Sequence, residues 1–250
     1  MKVSSPLEAP QMKTIWERYN SPIVWLLVVV YLGLAAIVVT ILFPVQFLDR
    51  SQSGFFETQG WIAMGVLGLI GVWMSMHTGF PNAWDSKINN RQRLVIPIVT
   101  GLLLGTLFLA TDLVTGLSRL QQEQFNIPAT DIAFPASVFV YSAGAIFLEV
   151  VFRLFTIPLL LGIAYLFVRD SKAREAAFWI LAILTSLIEP LAQSPGTQLL
   201  PPLALGFVLL QQFGTNMVQA AFFRKYGFVA AILVRVAFYV PFHGIGAFLK

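Results

Sequence analysis

Long apolar runs separated by short polar segments organise the chain. One run opens at about residue 22 and continues to about 43; others cover 61–79, 94–116, 134–168, 176–193, 199–223 and 226–249. At 1.5 Å rise per helical residue, about twenty apolar residues match the roughly 30 Å hydrocarbon core of a bilayer. The pattern predicts an all-α fold, a polytopic transmembrane bundle of about seven to eight helices. Residues 1–250 read as one integral membrane domain, with 1–21 as an N-terminal segment, 22–116 as scaffold helices and 134–250 as a core carrying polar stripes. Ser21 before Pro22 has the form of an N-cap followed by a first-turn proline. The run 134–168 would extend roughly 50 Å as one helix, too long for a simple span. It is either one tilted helix kinked near Pro158 or two segments, the second at 154–168.

Charge settles the preferred topology. Basic residues precede the first run (Lys2, Lys13, Arg18), follow the second (Lys87, Arg91, Arg93), follow the long run (Arg169, Lys172, Arg174) and separate the last two (Arg224, Lys225). The other loops hold Arg50 and Arg119, with Lys250 at the end. If 134–168 crosses once, all four clusters share one side, which the positive-inside rule makes cytoplasmic. Seven crossings follow, with the N-terminus inside, the C-terminus opposite, and a plasma or inner membrane as the location. The hydrophobic fraction of 57% and charged fraction of 11% agree, since soluble domains carry about 25% charged residues. The net charge of +4 sits in membrane-flanking loops, so no nucleic-acid partner is implied. Cysteine is absent, which excludes disulfides and thiolate chemistry. Trp25, Trp61, Trp73 and Trp179 fall near run ends, as interfacial anchors do. Gly101 with Gly105, and Gly65, Gly68 and Gly71, suit close helix packing.

The candidate chemistry lies inside the runs. An ionised side chain at the bilayer centre costs on the order of 3 kcal/mol, yet Asp112, Glu149, Arg153, Glu189, Arg235 and His243 all fall there. Glu149 and Arg153 are spaced i,i+4 in the favourable order for a pair on one helix face. Ser186, Glu189 and Gln193 share a helix face, as do Gln212, Asn216 and Gln219, and Arg235, Tyr239 and His243. Lipid exposure of such stripes is unfavourable, so they should converge on a common interior. Asp112, near a run end, reads more simply as reaching the headgroup region.

These residues resemble the CAAX protease and bacteriocin-processing family of glutamic intramembrane peptidases. The first motif of that family, two adjacent glutamates with arginine four positions on, is similar to Leu148-Glu149-Val-Val-Phe152-Arg153, with leucine in place of the first glutamate. The stretch from Arg224-Lys-Tyr-Gly to Arg235 looks like its closing helix. The resemblance covers residues 94–250 and implies a membrane endopeptidase acting on a membrane-associated peptide or lipidated C-terminus. Leu148 replaces the glutamate taken to activate water, and the family's histidines align with Glu189 or Gln193 and with Arg235.

A working site would have to be rebuilt. Peptide hydrolysis needs a base and oxyanion donors, and a carboxylate paired with arginine is a poor base. Glu149 and Arg153 are then the pairing members, and Glu189, before Pro190 and without a local cation, is the candidate base. Arg235 or Asn216 would hold the oxyanion, His243 would serve as acid or base, and Gln193, Gln212 and Tyr239 would support them. Two other readings stand beside this one. The first is a non-catalytic relative that binds a membrane protein or a hydrophobic peptide; the second is a small transporter or proton pathway. No cofactor is expected. Glu149, Glu189 and His243 leave a divalent metal open, although the chain has two histidines and no HExxH.

Overall fold

A computed structural model describes residues 13–42, 58–120, 132, 134–193 and 200–249. Lys2, Phe43, Pro44, Arg50, Lys250 and the side chains of Lys13, Arg18 and Gln193 lie outside the described set. Among the described residues, seven long helices carry the fold. They are α1 (Lys13–Leu42), α2 (Thr58–His77), α3 (Arg91–Thr115), α4 (Ala136–Ala164), α5 (Ser171–Gln193), α6 (Pro202–Tyr226) and α7 (Phe228–Leu249). All except α6 are long and apolar enough to cross a membrane. The 25 residues of α6 suffice in length, but Gln211, Gln212, Asn216 and Gln219 dilute its apolar content. Large side chains such as Leu26, Leu27, Leu34 and Ile41 on α1, or Ile180, Leu187 and Leu191 on α5, point outward. In water they would form an apolar surface of unusual extent; the molecule is a helical integral membrane protein.

The long run resolves into one helix. α4 is continuous over 29 residues and passes through a π-helical stretch, Val150–Phe155. Its cause is Pro158, whose missing N–H cannot bond the carbonyl of Leu154. Thr156 Oγ1 donates to Val151 O at 2.6 Å within the opened turn. The other π stretches of the described helices, Arg91–Val95 and Val240–Ile245, likewise adjoin or contain a proline, Pro97 and Pro241. The freed Leu154 carbonyl faces Gly71 of α2, where a Cβ would stand 2.5 Å from its oxygen.

Contacts between helix ends bring together the segments that carry the later basic clusters, with Asn20 and Ser21 of α1 beside them. Tyr165, at the end of α4, donates to Thr78 O beyond α2 at 3.4 Å. Arg224 of α6 bonds Glu175 of α5 at 2.6 Å and lies over Phe80 and Phe178. Gly227, at φ 84°, begins α7 against the carbonyl of Pro81, which a Cβ would approach to 2.9 Å. The connection after α2 is tied to α1: Ser21 Oγ accepts from Ala83 N at 2.8 Å, and Asn20 Oδ1 from Trp84 N at 3.0 Å.

Two expectations are corrected here. Ser21 is no N-cap, because α1 begins two turns earlier at Lys13 and Pro22 lies inside it. The N-terminal segment 1–21 therefore contributes its last residues to that helix. Trp25 is no interfacial anchor. It is 1% exposed, donates Nε1–H to Gly65 O at 2.9 Å, and packs its ring where Gly68 lacks a side chain. Trp73 and Trp179 do remain exposed.

The Gly101/Gly105 pair seats α3 on α7. A Cβ on Gly105 would overlap the Phe238 carbonyl and lie 2.7 Å from Pro241 Cγ. Gly105→Leu should therefore destabilise the fold by at least about 2 kcal/mol, read as a lowered thermal midpoint in detergent. Gly206→Leu, in open space, should leave the midpoint unchanged. An equal response of the two variants would contradict this packing.

Candidate functional site

The central members of the polar stripes meet in the bundle core. Glu149 and Arg153 come from α4, Glu189 from α5, Asn216 and Gln219 from α6 and Arg235 from α7. None is more than 5% exposed. The arrangement is a lattice of two carboxylates and two guanidinium groups, with no net charge. Arg235 Nε donates to Glu149 Oε1 at 2.7 Å, and Arg235 NH2 to Glu189 Oε1 at 2.5 Å. Arg153 NH1 pairs with the other oxygen of Glu189. The same group stands 3.9 Å from Glu149 Oε1, so the i,i+4 pair foreseen from the spacing is the longest ionic contact of the four. The strongest contacts cross between helices.

Neutral groups complete the lattice. Arg235 NH2 also reaches Asn216 Oδ1 at 3.1 Å and Gln219 Oε1 at 2.6 Å, and Arg153 NH2 donates to Asn216 O at 3.3 Å. Asn216 Nδ2 in turn donates to Ser186 O at 3.4 Å. Glu149 Oε2, Arg153 Nε and Ser186 Oγ are buried without a hydrogen-bond partner among the described residues. The lattice thus balances charge without using every lone pair. The crevice beside Glu149 and Arg153, lined by Leu154, Phe223, Phe228, Ala231 and Ile232, has no room for a water molecule.

The residues expected to do chemistry fall into three groups. Glu149, Arg153, Glu189, Asn216 and Arg235 are brought together. Glu189, read as free of a cation, is held by two arginines, one on each carboxylate oxygen, so neither oxygen is left open to take a proton from water. Arg235, read as an oxyanion donor, already has four acceptors. Tyr239 borders the lattice, with its hydroxyl in reach of the Arg235 guanidinium. His243 has another setting. Its ring stacks on Tyr141 at 4.4 Å and meets Tyr239 and Phe242 edge-on at 5.0 and 4.8 Å.

Gln212 is half-buried one turn from Asn216, and Gln219 is the glutamine that reaches Arg235. Its stripe was legible, but which glutamine lies level with Arg235 depends on how α6 is seated against α7. Gln193 ends α5, and its side chain is not described. Asp112 closes its own helix. Its Oδ1 accepts from Ser118 N at 2.8 Å, beyond Gly116 in a left-handed turn. Among the described residues, no three His, Asp or Glu side chains are grouped to hold a metal ion.

Removing one partner of a buried ion pair costs about 3–5 kcal/mol, because a charge is left uncompensated. Glu189→Leu and Arg235→Met should each destabilise by that amount. The double variant should lose less than the sum, with a coupling of about 0.5–3 kcal/mol, in thermal unfolding of the detergent-solubilised protein. Strict additivity would contradict a shared lattice.

Comparison of the chain with protein-family models, with curated proteins and with solved structures gives no match.

Proposed function

We propose that this chain is a non-catalytic membrane protein of the CAAX-protease-like type, which binds a membrane protein or a hydrophobic or lipidated peptide as a scaffold or immunity partner. The carrying observation is the engagement of both core carboxylates by both core arginines. A hydrolase needs a carboxylate able to take a proton from water in a space that holds that water. Here the candidate base is ion-paired twice, and the crevice by its neighbour admits no water. The same sealing disfavours a proton pathway. Seven crossings, with the N-terminus and the basic ends in the cytoplasm, are the topology that the positive-inside rule favours for the basic segments of this sequence.

A hydrophobic carbodiimide tests this reading. Dicyclohexylcarbodiimide enters bilayers and modifies carboxyl groups in their protonated form. Glu149 and Glu189 should remain unmodified by mass spectrometry, because both carboxylates are buried and engaged by arginine. Rapid modification of Glu189 would restore it as a proton-exchanging group and overturn the non-catalytic reading.

A further inference from the structure

The two ends of the polar core are closed differently. Towards the basic end, the residues beyond Gln219 and Arg235 are apolar and packed shut. Phe223, Phe228 and Ala231 are at most 3% exposed. Phe80 stacks on Phe223 at 4.2 Å and meets Phe178 at 5.9 Å, and the Arg224–Glu175 pair lies over them. Among the described residues, no polar side chain continues the stripes of α6 and α7 into that apolar layer.

Towards the other end, the stripes continue and burial falls. Gln212 lies on the face of α6 that carries Asn216 and Gln219, and Tyr239 and His243 follow Arg235 along α7. All three are half-buried, although Asn216 and Arg235, one turn deeper than Gln212 and Tyr239, are at most 5% exposed. Their exposure is not towards lipid. Tyr239 and His243 pack against Tyr141 of α4, at 6.0 and 4.4 Å between rings, and so face the bundle interior. The lipid faces are occupied by their apolar neighbours, Leu210 on α6 and Val240 on α7, which are 68% and 52% exposed. Polar side chains turned inward yet only half covered, in a membrane-spanning bundle, line water-filled space.

We infer that the bundle holds a polar vestibule between Gln212, Tyr239 and His243, open on the side opposite the basic clusters, which admits water and small hydrogen-bonding solutes as far as Arg235. The vestibule stops there because Arg235 Nε and NH2 are held by Glu149, Glu189 and Gln219, and the carboxylates behind them are 1% exposed. A solute that enters it meets the Gln212 amide beside the rings of Tyr239 and His243, a set suited to uncharged hydrogen-bonding groups. An anion would gain little from Arg235, which already serves two carboxylates. This goes beyond the binding role proposed above. Its failure would leave that role standing, because the carbodiimide result bears on the carboxylates alone.

The absence of cysteine makes the test direct. Single cysteines are placed at Gln212, Tyr239, Leu210, Ala231 and Lys225, and treated with a charged, membrane-impermeant methanethiosulfonate in intact cells and in inverted membrane vesicles. Lys225→Cys, exposed beside the last basic pair, marks the basic side. Gln212→Cys touches no lattice group and should fold normally. It should react at least tenfold faster than Leu210→Cys, and from the side opposite to Lys225→Cys. Tyr239→Cys should follow Gln212→Cys, and Ala231→Cys should stay unreactive from both sides. Reaction of Gln212→Cys no faster than Leu210→Cys would mean that lipid or protein covers this end. Reaction from the basic side, or labelling of Ala231→Cys, would mean a path through the bundle. Either result overturns the vestibule.

Discussion

Ionised groups can stay in the middle of a bilayer only if each meets an opposite charge at short range. In this protein that constraint is met by four side chains from three helices, two glutamates and two arginines, with amides from a fourth helix filling in. Desolvation makes each charge unfavourable alone, and the low dielectric makes their attraction strong. Loss of any one group would strand its partners. The mutual position of α4, α5, α6 and α7 therefore depends on the lattice, and the packing of the remaining helices follows from where those four stand.

Proline and glycine prepare that position. Pro158 opens α4 into a π stretch just past Glu149, and the carbonyl it releases rests on Gly71 of α2. Pro241 is part of a similar stretch in α7, whose other face lies against Gly101 and Gly105 of α3. Glycine removes the side chain where two backbones must touch, and the π turn changes which residues of a helix face inward. These features put Arg153 and Arg235 on either side of Glu189, with one oxygen of that carboxylate for each. The lattice leaves Glu149 Oε2 without a partner among the described residues, so charge balance rather than complete hydrogen bonding governs it.

Much of the architecture was legible in the chain because apolar length and basic flanks are local signals. The continuity of α4 and the six helices long and apolar enough to cross a membrane follow from the first of them. The failures arise from contacts distant in sequence. Ser21 looked like a helix start, yet its hydroxyl serves a backbone amide 62 residues away. Trp25 looked interfacial because its position near a run end gives no hint of the space left by Gly68. The polar stripes marked the core correctly, but a stripe does not say which charge pairs with which. Glu189 seemed free because no cation lies near it in sequence; its partners are 36 and 46 residues away. His243 shares a stripe with Arg235, but its setting is an aromatic stack that only the approach of Tyr141 from α4 creates.

The four charges act as one neutral unit, so removing the whole unit should be tolerated where removing a part is not. Buried ion clusters replaced entirely by apolar residues of similar volume are often neutral or stabilising, by about 1–4 kcal/mol. The direct measurement is the thermal unfolding of a variant combining Glu149→Leu, Arg153→Met, Glu189→Leu and Arg235→Met. The account predicts a monodisperse protein whose midpoint is at or above that of each single variant. A quadruple variant that unfolds further than any single one would show that the charges do something other than neutralise one another.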